Sequence, residues 1–371
     1  MKSVAIHSSA MSNLVSFSDA VQTIDLEGVR VLCSLQEIPE PAFDPTSPSA
    51  QFSVLVKIHA FSCNYRDKHF ILKMATRQDT NGFYVIGSEF VGTVVQVGAS
   101  VTEFRPGDRV IANAEWPGSG QVTGGLPTNH ASKEYLVLDY RKLIKIPDSM
   151  NNAVAASFTI GAQTAYSMVR KLALTPGENV LVTAAKSNTS LFAINALRTR
   201  GVNIYAVTTS KQFEAELLER GVKQVFCVDP QSDNWIDDPV LGPAARALNG
   251  FDAVIDPFFD VHLGKVISLI DFGGRYVTCG LYDQYLGLVG QSFQYHGLPW
   301  QTIMLQAMQR NIHIIGNCIG TSQDLQQALA DYADGTLDVI IDSTFSGNQV
   351  AAFFERTYNA RDRLGKVVFE Y

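Results

Sequence analysis

"TAAKSNTSLF", residues 183–192, is the stretch on which the reading of this chain turns. It follows "ENVLV" (178–182), whose apolar run suits a buried strand, and it leads into "NTSLFAINALRTRG" (188–201), whose period is that of a helix closing at Gly201. Where a strand passes into a helix in this way, a dinucleotide-binding domain keeps a glycine-rich turn, but this stretch has no glycine. Glycines let the backbone turn tightly and approach a pyrophosphate, while the helix N-terminus supplies free N–H groups and a positive dipole. Their loss weakens the first function and leaves the second. Ser187, Asn188 and Thr189 are capping residue types, able either to donate to an anion or to cap the helix themselves, and Lys186 can neutralise phosphate charge.

Outward from this turn the chain alternates. A helix is expected over 151–174, strands over "VNIYAVTTS" (202–210) and "KQVFCVD" (223–229), and a helix over "KQFEAELLERG" (211–221). Further strands are "FDAVIDPFF" (251–259), "GGRYVTCGLYD" (273–283) and "NIHIIGNCIG" (311–320), with a helix between 261 and 272. Such alternation predicts an α/β domain with a doubly wound parallel sheet. The first 150 residues instead read as strands, among them "FSVLVKIHAFS" (52–62), "EFVGTVVQVG" (89–98) and "RPGDRVIANA" (105–114), and the tail from 338 returns to strand, helix, strand.

The composition, 46% hydrophobic and 18% charged over 371 residues, is that of a globular protein long enough for two domains. A net charge of -7 gives no basic face for nucleic acid. Five cysteines, odd in number and without a CxxC pair, suggest neither a disulfide framework nor a clustered zinc site. The N-terminal residues lack an apolar signal region and no run approaches a membrane span, so a cytoplasmic location without membrane contact is expected.

Six motifs in order, "NYRD" (64–67), "GSEFVGTVVQVGASVTEFRPGDRV" (87–110), "GAQTAYSMV" (161–169), "PGENVLVTAA" (176–185), "FGGRYVTCG" (272–280) and "GKVVF" (365–369), resemble the medium-chain dehydrogenase/reductase superfamily. Within it the resemblance is closest to the zinc-free quinone oxidoreductase and enoyl or acryloyl reductase branch. It implies a GroES-like β-barrel catalytic domain from 1–152 and 320–371, a Rossmann dinucleotide-binding domain over 153–319, an active site in the cleft and a homodimer. Zinc-containing relatives hold their ion with a Cys and a His-Glu pair; the matching positions here fall on Asn64, not Cys63, and on Ser88 in "GSE". No metal is therefore expected, and hydride chemistry without zinc suits a conjugated double bond or a quinone, whose enolate needs only hydrogen-bond donors.

By the same resemblance Asn64 borders the nicotinamide, Asp67 belongs to the supporting network and Glu89 matches the acid beside the lost metal position. Tyr65 carries a phenol able to donate to a substrate carbonyl, or is packed in a core; Tyr84 is a weaker substitute for a downstream tyrosine of some relatives, whose position falls on Ala75. Thr164 matches a position at a helix start beside the nicotinamide, with helix capping as the alternative. Cys279, Gly280, Asn317 and Ile319 fall on strand ends beneath that ring, and Lys366 is similarly placed or covers a sheet edge. After the second Rossmann strand the chain reads "VTTSK", with Thr209, Ser210 and Lys211 and no acid to hold ribose hydroxyls, which favours NADPH over NADH, with a solvated Ser-Lys cap of the next helix as the alternative. His130, His262, His296 and His313 show no metal spacing, and the aromatic segment 281–301 suits either a substrate pocket wall or a partner subunit.

Overall fold

The computed structural model describes residues 1–8, 10, 21–78, 82–115, 128–283 and 296–371. The chain divides into two compact units, Met1–Ile160 with Ile340–Tyr371, and Gly161–Val339. No described helix is long and apolar enough to cross a membrane.

Unit 1 is built on strands β1 (Lys2–His7), β2 (Gln22–Leu26), β3 (Val29–Glu37), β4 (Ser53–Ser62), β5 (Phe83–Val85), β6 (Glu89–Val97), β7 (Arg109–Ala112), β8 (Tyr135–Asp139) and β9 (Leu143–Lys145), with helices α1 (Tyr65–Ala75) and α2 (Asn152–Ala156). Unit 2 carries helix α3 (Thr159–Leu172) from Gly161 onward, strand β10 (Asn179–Val182), helix α4 (Asn188–Arg198), β11 (Asn203–Thr208), α5 (Glu214–Glu219), β12 (Val222–Cys227), α6 (Leu241–Ala247), β13 (Phe251–Asp256), α7 (Phe259–Val266), β14 (Ile270–Thr278), α8 (Trp300–Gln309), β15 (His313–Gly316) and α9 (Ser322–Ala333). The chain then returns to unit 1 as β16 (Ile341–Ser346), α10 (Val350–Tyr358) and β17 (Lys366–Glu370).

In unit 2 the sheet order is β12-β11-β10-β13-β14-β15, parallel at every pairing, the order of a doubly wound dinucleotide-binding sheet. Its central strands β10, β11 and β13 are short and largely buried, as strands with covered faces are, and Leu181, Val207, Phe226, Phe251, Val254 and Tyr276 are all buried in one core. Unit 1 holds an order β16-β17-β4-β6-β7-β9, with β8 also on β4, and a second sheet β2-β3-β1-β5. Strand β17 lies between β16 and β4, so the end of the chain is interior to the sheet. Phe61, Phe353 and Phe369 meet there with ring centroids 5.5 to 5.6 Å apart. Each such ring, fully buried, contributes about 1.5–3 kcal/mol. This is the GroES-like barrel with a Rossmann-type domain that the sequence predicts.

Several element bounds differ from the sequence reading. The helix expected over 151–174 is two, broken at Ser157 and Phe158, and α4 stops at Arg198, before Gly201. Helix α5 starts only at Glu214 because Phe213 is left-handed, with φ 69°. Strand β14 begins at Ile270, inside the stretch read as helix. Residues 320–339, expected in the first domain, belong to unit 2: Arg170 and Tyr166 of α3 bond Asp324 and Asp331 of α9 at 2.8 and 2.6 Å.

Candidate active site

In unit 1, "NYRD" is not part of a strand but the start of α1, with Asn64 as its N-cap. The Asp67 carboxylate accepts the Asn64 N–H at 2.7 Å, satisfying one of the helix's free donors. That spacing, Asn then Asp three residues on, is a helix-start signal visible in the sequence. Asp67 Oδ2 also accepts from Ser88 Oγ at 2.6 Å, and Asn64 Nδ2 donates to Ser88 Oγ and to Glu89 Oε1, both at 2.9 Å. Burial pushes the Asp67 carboxyl above the usual range, against the opposing pull of Arg66 and its hydrogen bonds.

Lys366 completes the cluster. Its Nζ donates to Asn64 Oδ1 at 2.6 Å and to Glu89 Oε1 at 2.7 Å, with both charged side chains buried. Glu89 also accepts from Ser62 Oγ at 3.0 Å and from the Ile160 N–H at 2.8 Å, so each carboxylate oxygen has a donor. Three of the sequence candidates, Asn64, Asp67 and Lys366, therefore meet in one network. Glu89 is held in a salt bridge, and its partner Lys366 is what the sequence left out. Tyr65 stands at the first position of α1, its ring 5.0 Å from Lys68 Nζ. Tyr84 lies on β5, beneath Arg77, and lines the same cavity as Asp67.

In unit 2 the turn after β10 closes on itself. Ser187 is the N-cap of α4, its Oγ accepting the Ser190 N–H at 3.2 Å, and Ser190 Oγ donates back to the Thr183 carbonyl at 2.8 Å. Asn188 and Thr189 form the first turn of the helix. Ala184 takes φ 44°, a left-handed conformation in which glycine is at ease and an L-residue costs about 1–2 kcal/mol. Gly161 of α3 supplies room from the other side: a Cβ there would meet Asn188 Nδ2 at 2.6 Å. Ala184→Gly is accordingly expected to raise unfolding stability by up to about 1 kcal/mol, read by urea denaturation. A loss of stability would show that this turn is not strained.

Lys186 Nζ reaches across to Ser210 Oγ at 3.1 Å, joining the turn to the acid-free end of β11. Thr209 and Lys211 beside it are exposed. Thr183 Oγ1 donates to the buried Asp256 at 2.7 Å, an acid the sequence reading passed over although it stands at the end of β13 before Pro257. Asp256 also accepts from the Tyr276 hydroxyl and pairs with His262 Nδ1 at 2.8 Å. Burial alone would raise its pKa, but His262 and these hydrogen bonds hold it below the usual range.

Thr164 is not at a helix start. It is the sixth residue of α3 and buried, because the helix begins at Thr159, so the capping alternative falls away. Cys279 and Gly280 follow the last residue of β14, and Asn317 and Ile319 follow β15. Burial pushes the Cys279 thiol up to about 12. Asn317 accepts from Ser167 Oγ at 2.8 Å and donates to the Ile319 carbonyl at 2.7 Å. Of the aromatic segment 281–301, residues 284–295 lie outside the described residues, while Trp300 is exposed at the start of α8.

Residues 50–148 match the alcohol dehydrogenase GroES-like domain family, and residues 221–369 match the zinc-binding dehydrogenase family. The chain belongs to the medium-chain dehydrogenase/reductase superfamily. Among superfamily relatives, human quinone oxidoreductase is 26% identical over 262 residues, covering 70% of this chain and 72% of that one. Acryloyl-coenzyme A reductase of Metallosphaera sedula is 24% identical over 349 residues, covering 88% and 93%. Polyketide synthase GfsB of Streptomyces halstedii is 29% identical over 240 residues; these are 64% of this chain but only 4% of that much longer protein. These relatives place the chain in the quinone oxidoreductase and acryloyl reductase branch. A solved NAD-dependent alcohol dehydrogenase superposes with a TM-score of 0.74 at 22% identity over 95% of this chain and 99% of that one, which shows the shared fold.

The superfamily's metal-ligand positions can be tested on their donors. Asn64 and Ser88 stand where the resemblance puts the metal ligands, and the Lys366 ammonium already sits on Asn64 and Glu89. An amide, a hydroxyl and a carboxylate neutralised by an ammonium do not make a divalent-metal site. Cys63, the neighbouring thiol, is buried, and that burial pushes it well above the usual thiol range. Among the described residues no group of three or more His, Cys, Asp or Glu gathers to hold a metal.

Proposed function

We propose that this oxidoreductase is a zinc-independent, NADPH-dependent reductase of an activated carbon–carbon double bond or a quinone of a small molecule. The observation that carries the reading is the Lys366 ammonium seated on Asn64 and Glu89, where a zinc dehydrogenase needs ligands. The names of the relatives, quinone oxidoreductase and acryloyl-coenzyme A reductase, point the same way. NADPH, when bound, supplies the hydride. The chain's own part is binding and charge placement. Lys186 and Ser210 offer two donors at a strand end free of carboxylates, which suits a 2'-phosphate. The helix dipole of α4 adds a favourable field for the pyrophosphate. Asn64, held by Asp67 and Lys366, presents a rigid amide, and Tyr65 or Tyr84 supplies the phenol for a substrate oxygen. Thr164, Cys279, Gly280, Asn317 and Ile319 serve the nicotinamide end in this reading.

Titration with the protein should quench or shift NADPH fluorescence saturably, and reduction of 1,4-naphthoquinone should survive prolonged chelation. Absence of NADPH and NADH binding at millimolar concentration would sink the proposal. A second reading, a non-catalytic descendant that binds a small molecule, is favoured by the turn whose serines are spent on their own helix. Small-molecule binding without any nucleotide binding would select it.

The homodimer is proposed on unit 2. Strand β15 ends the sheet order, and Phe272, Leu305, Met308 and Ile314 are exposed there or on the preceding elements β14 and α8. Light scattering should give twice the chain mass, and Leu305→Glu with Met308→Glu should give monomers. A wild-type monomer at micromolar concentration would refute it.

A further inference from the structure

Unit 1 holds a cavity of about 490 Å³ bounded by α1, β5 and residues 129–133, a volume suited to a small ligand. Asp67, Phe70 and Met74 reach it from one face of α1, at helical spacing. Phe70 and Met74, with Phe83 and Ile86, make its body mostly apolar. The polar part, besides Asp67, is Tyr84, Asn129, His130 and Lys133. Asp67 is the carboxyl of this lining, and it is committed to the Asn64 N–H and to Ser88 Oγ. Lys133 is half-buried, and its ammonium has no ion pair or hydrogen bond among the described residues. Burial, together with the charge of Lys133, holds the His130 imidazole below its ordinary pKa, so at pH 7 His130 is neutral and Lys133 is the unbalanced charge. A cation beside apolar walls gains most from an anion that brings its own apolar body.

We propose that this cavity binds a small molecule with an apolar body and one carboxylate, the body lying against Phe70, Met74, Phe83 and Ile86 and the carboxylate pairing with Lys133. Because Asp67 belongs both to the cavity and to the Asn64–Lys366 cluster, the substrate class is an apolar acid bearing an activated double bond. That last assignment rests on the reductase reading; the binding itself does not.

Calorimetric titration of the full chain with 4-phenylbutanoate, which cannot be reduced, and with its neutral amide tests the site. The acid should bind about tenfold more tightly than the amide. Lys133→Met should abolish that preference while keeping the amide's affinity, and Met74→Trp, filling the cavity, should remove both. The proposal is overturned by the absence of saturable acid binding at millimolar concentration, by equal affinities in the wild type, by a preference that survives Lys133→Met, or by unchanged binding to Met74→Trp. If Met74→Trp does not fold, the acid-to-amide ratio in Lys133→Met decides. With NADPH added, 4-oxo-4-phenylbut-2-enoate separates the two claims. Binding of 4-phenylbutanoate without turnover of the unsaturated acid would overturn the reductase reading and the substrate assignment but keep the cavity. Turnover without 4-phenylbutanoate binding would do the reverse.

Discussion

Lys366→Met is expected to destabilise unit 1 by about 3–5 kcal/mol, because removing one member of a buried pair leaves the other as an uncompensated charge. Glu89 would keep the Ser62 and Asn64 side chains and the Ile160 N–H, but those donors are neutral. A fall of roughly 10 °C in the unit 1 melting transition would follow for a unit of this size. Adding Glu89→Gln to the same chain should restore much of the loss, since the charge that lacked a partner is gone and the amide can still accept and donate. Differential scanning calorimetry of the single and double variants reads the effect. A single variant that melts within 2 °C of the wild type, on the order of the smallest shift one kcal/mol gives, would mean the pair is not holding the cluster.

Ser210→Asp is expected to weaken NADPH binding by about a hundredfold, by removing one charge-assisted donor and placing a carboxylate against the 2'-phosphate. NADH, which lacks that phosphate, should bind as well or better, because an acid at this strand end can accept from ribose hydroxyls. Lys186→Glu should lower NADPH affinity by a comparable factor, since Lys186 and Ser210 stand 3.1 Å apart and form one recognition element. Fluorescence titrations with both nucleotides check this. Unchanged NADPH affinity in either variant would remove the assignment of the 2'-phosphate to this pair.

The fold was legible because its signals are local and repeated. The short apolar strands and amphipathic helices of unit 2 follow directly from periods of two and 3.6, and the glycines and β-branched runs of unit 1 mark its barrel. The element ends were less so. Phe213 and Ala184 adopt left-handed conformations although neither is glycine, asparagine or aspartate, and nothing in a residue's type announces that tertiary contacts will impose such a φ. The candidate cluster was legible in its members rather than in its wiring. Asn64, Asp67 and Lys366 were each singled out, but the pairing of Lys366 with Glu89 joins residues 277 positions apart, beyond any periodicity. Asp256 was missed for a related reason: a lone acid ending an apolar strand takes on meaning only once Thr183, Tyr276 and His262 are seen around it.

The position of β17 has a consequence for how the protein is made. As the chain leaves the ribosome, β4, α1 and β6 emerge early, while Lys366 emerges only after the whole of unit 2 has been synthesised. Until then Glu89 lacks its counter-ion and the edge of β4 that will receive β17 is unpaired. Unit 2, continuous in sequence, is free to fold first, so its parallel sheet is complete before the half that holds Asn64 in place.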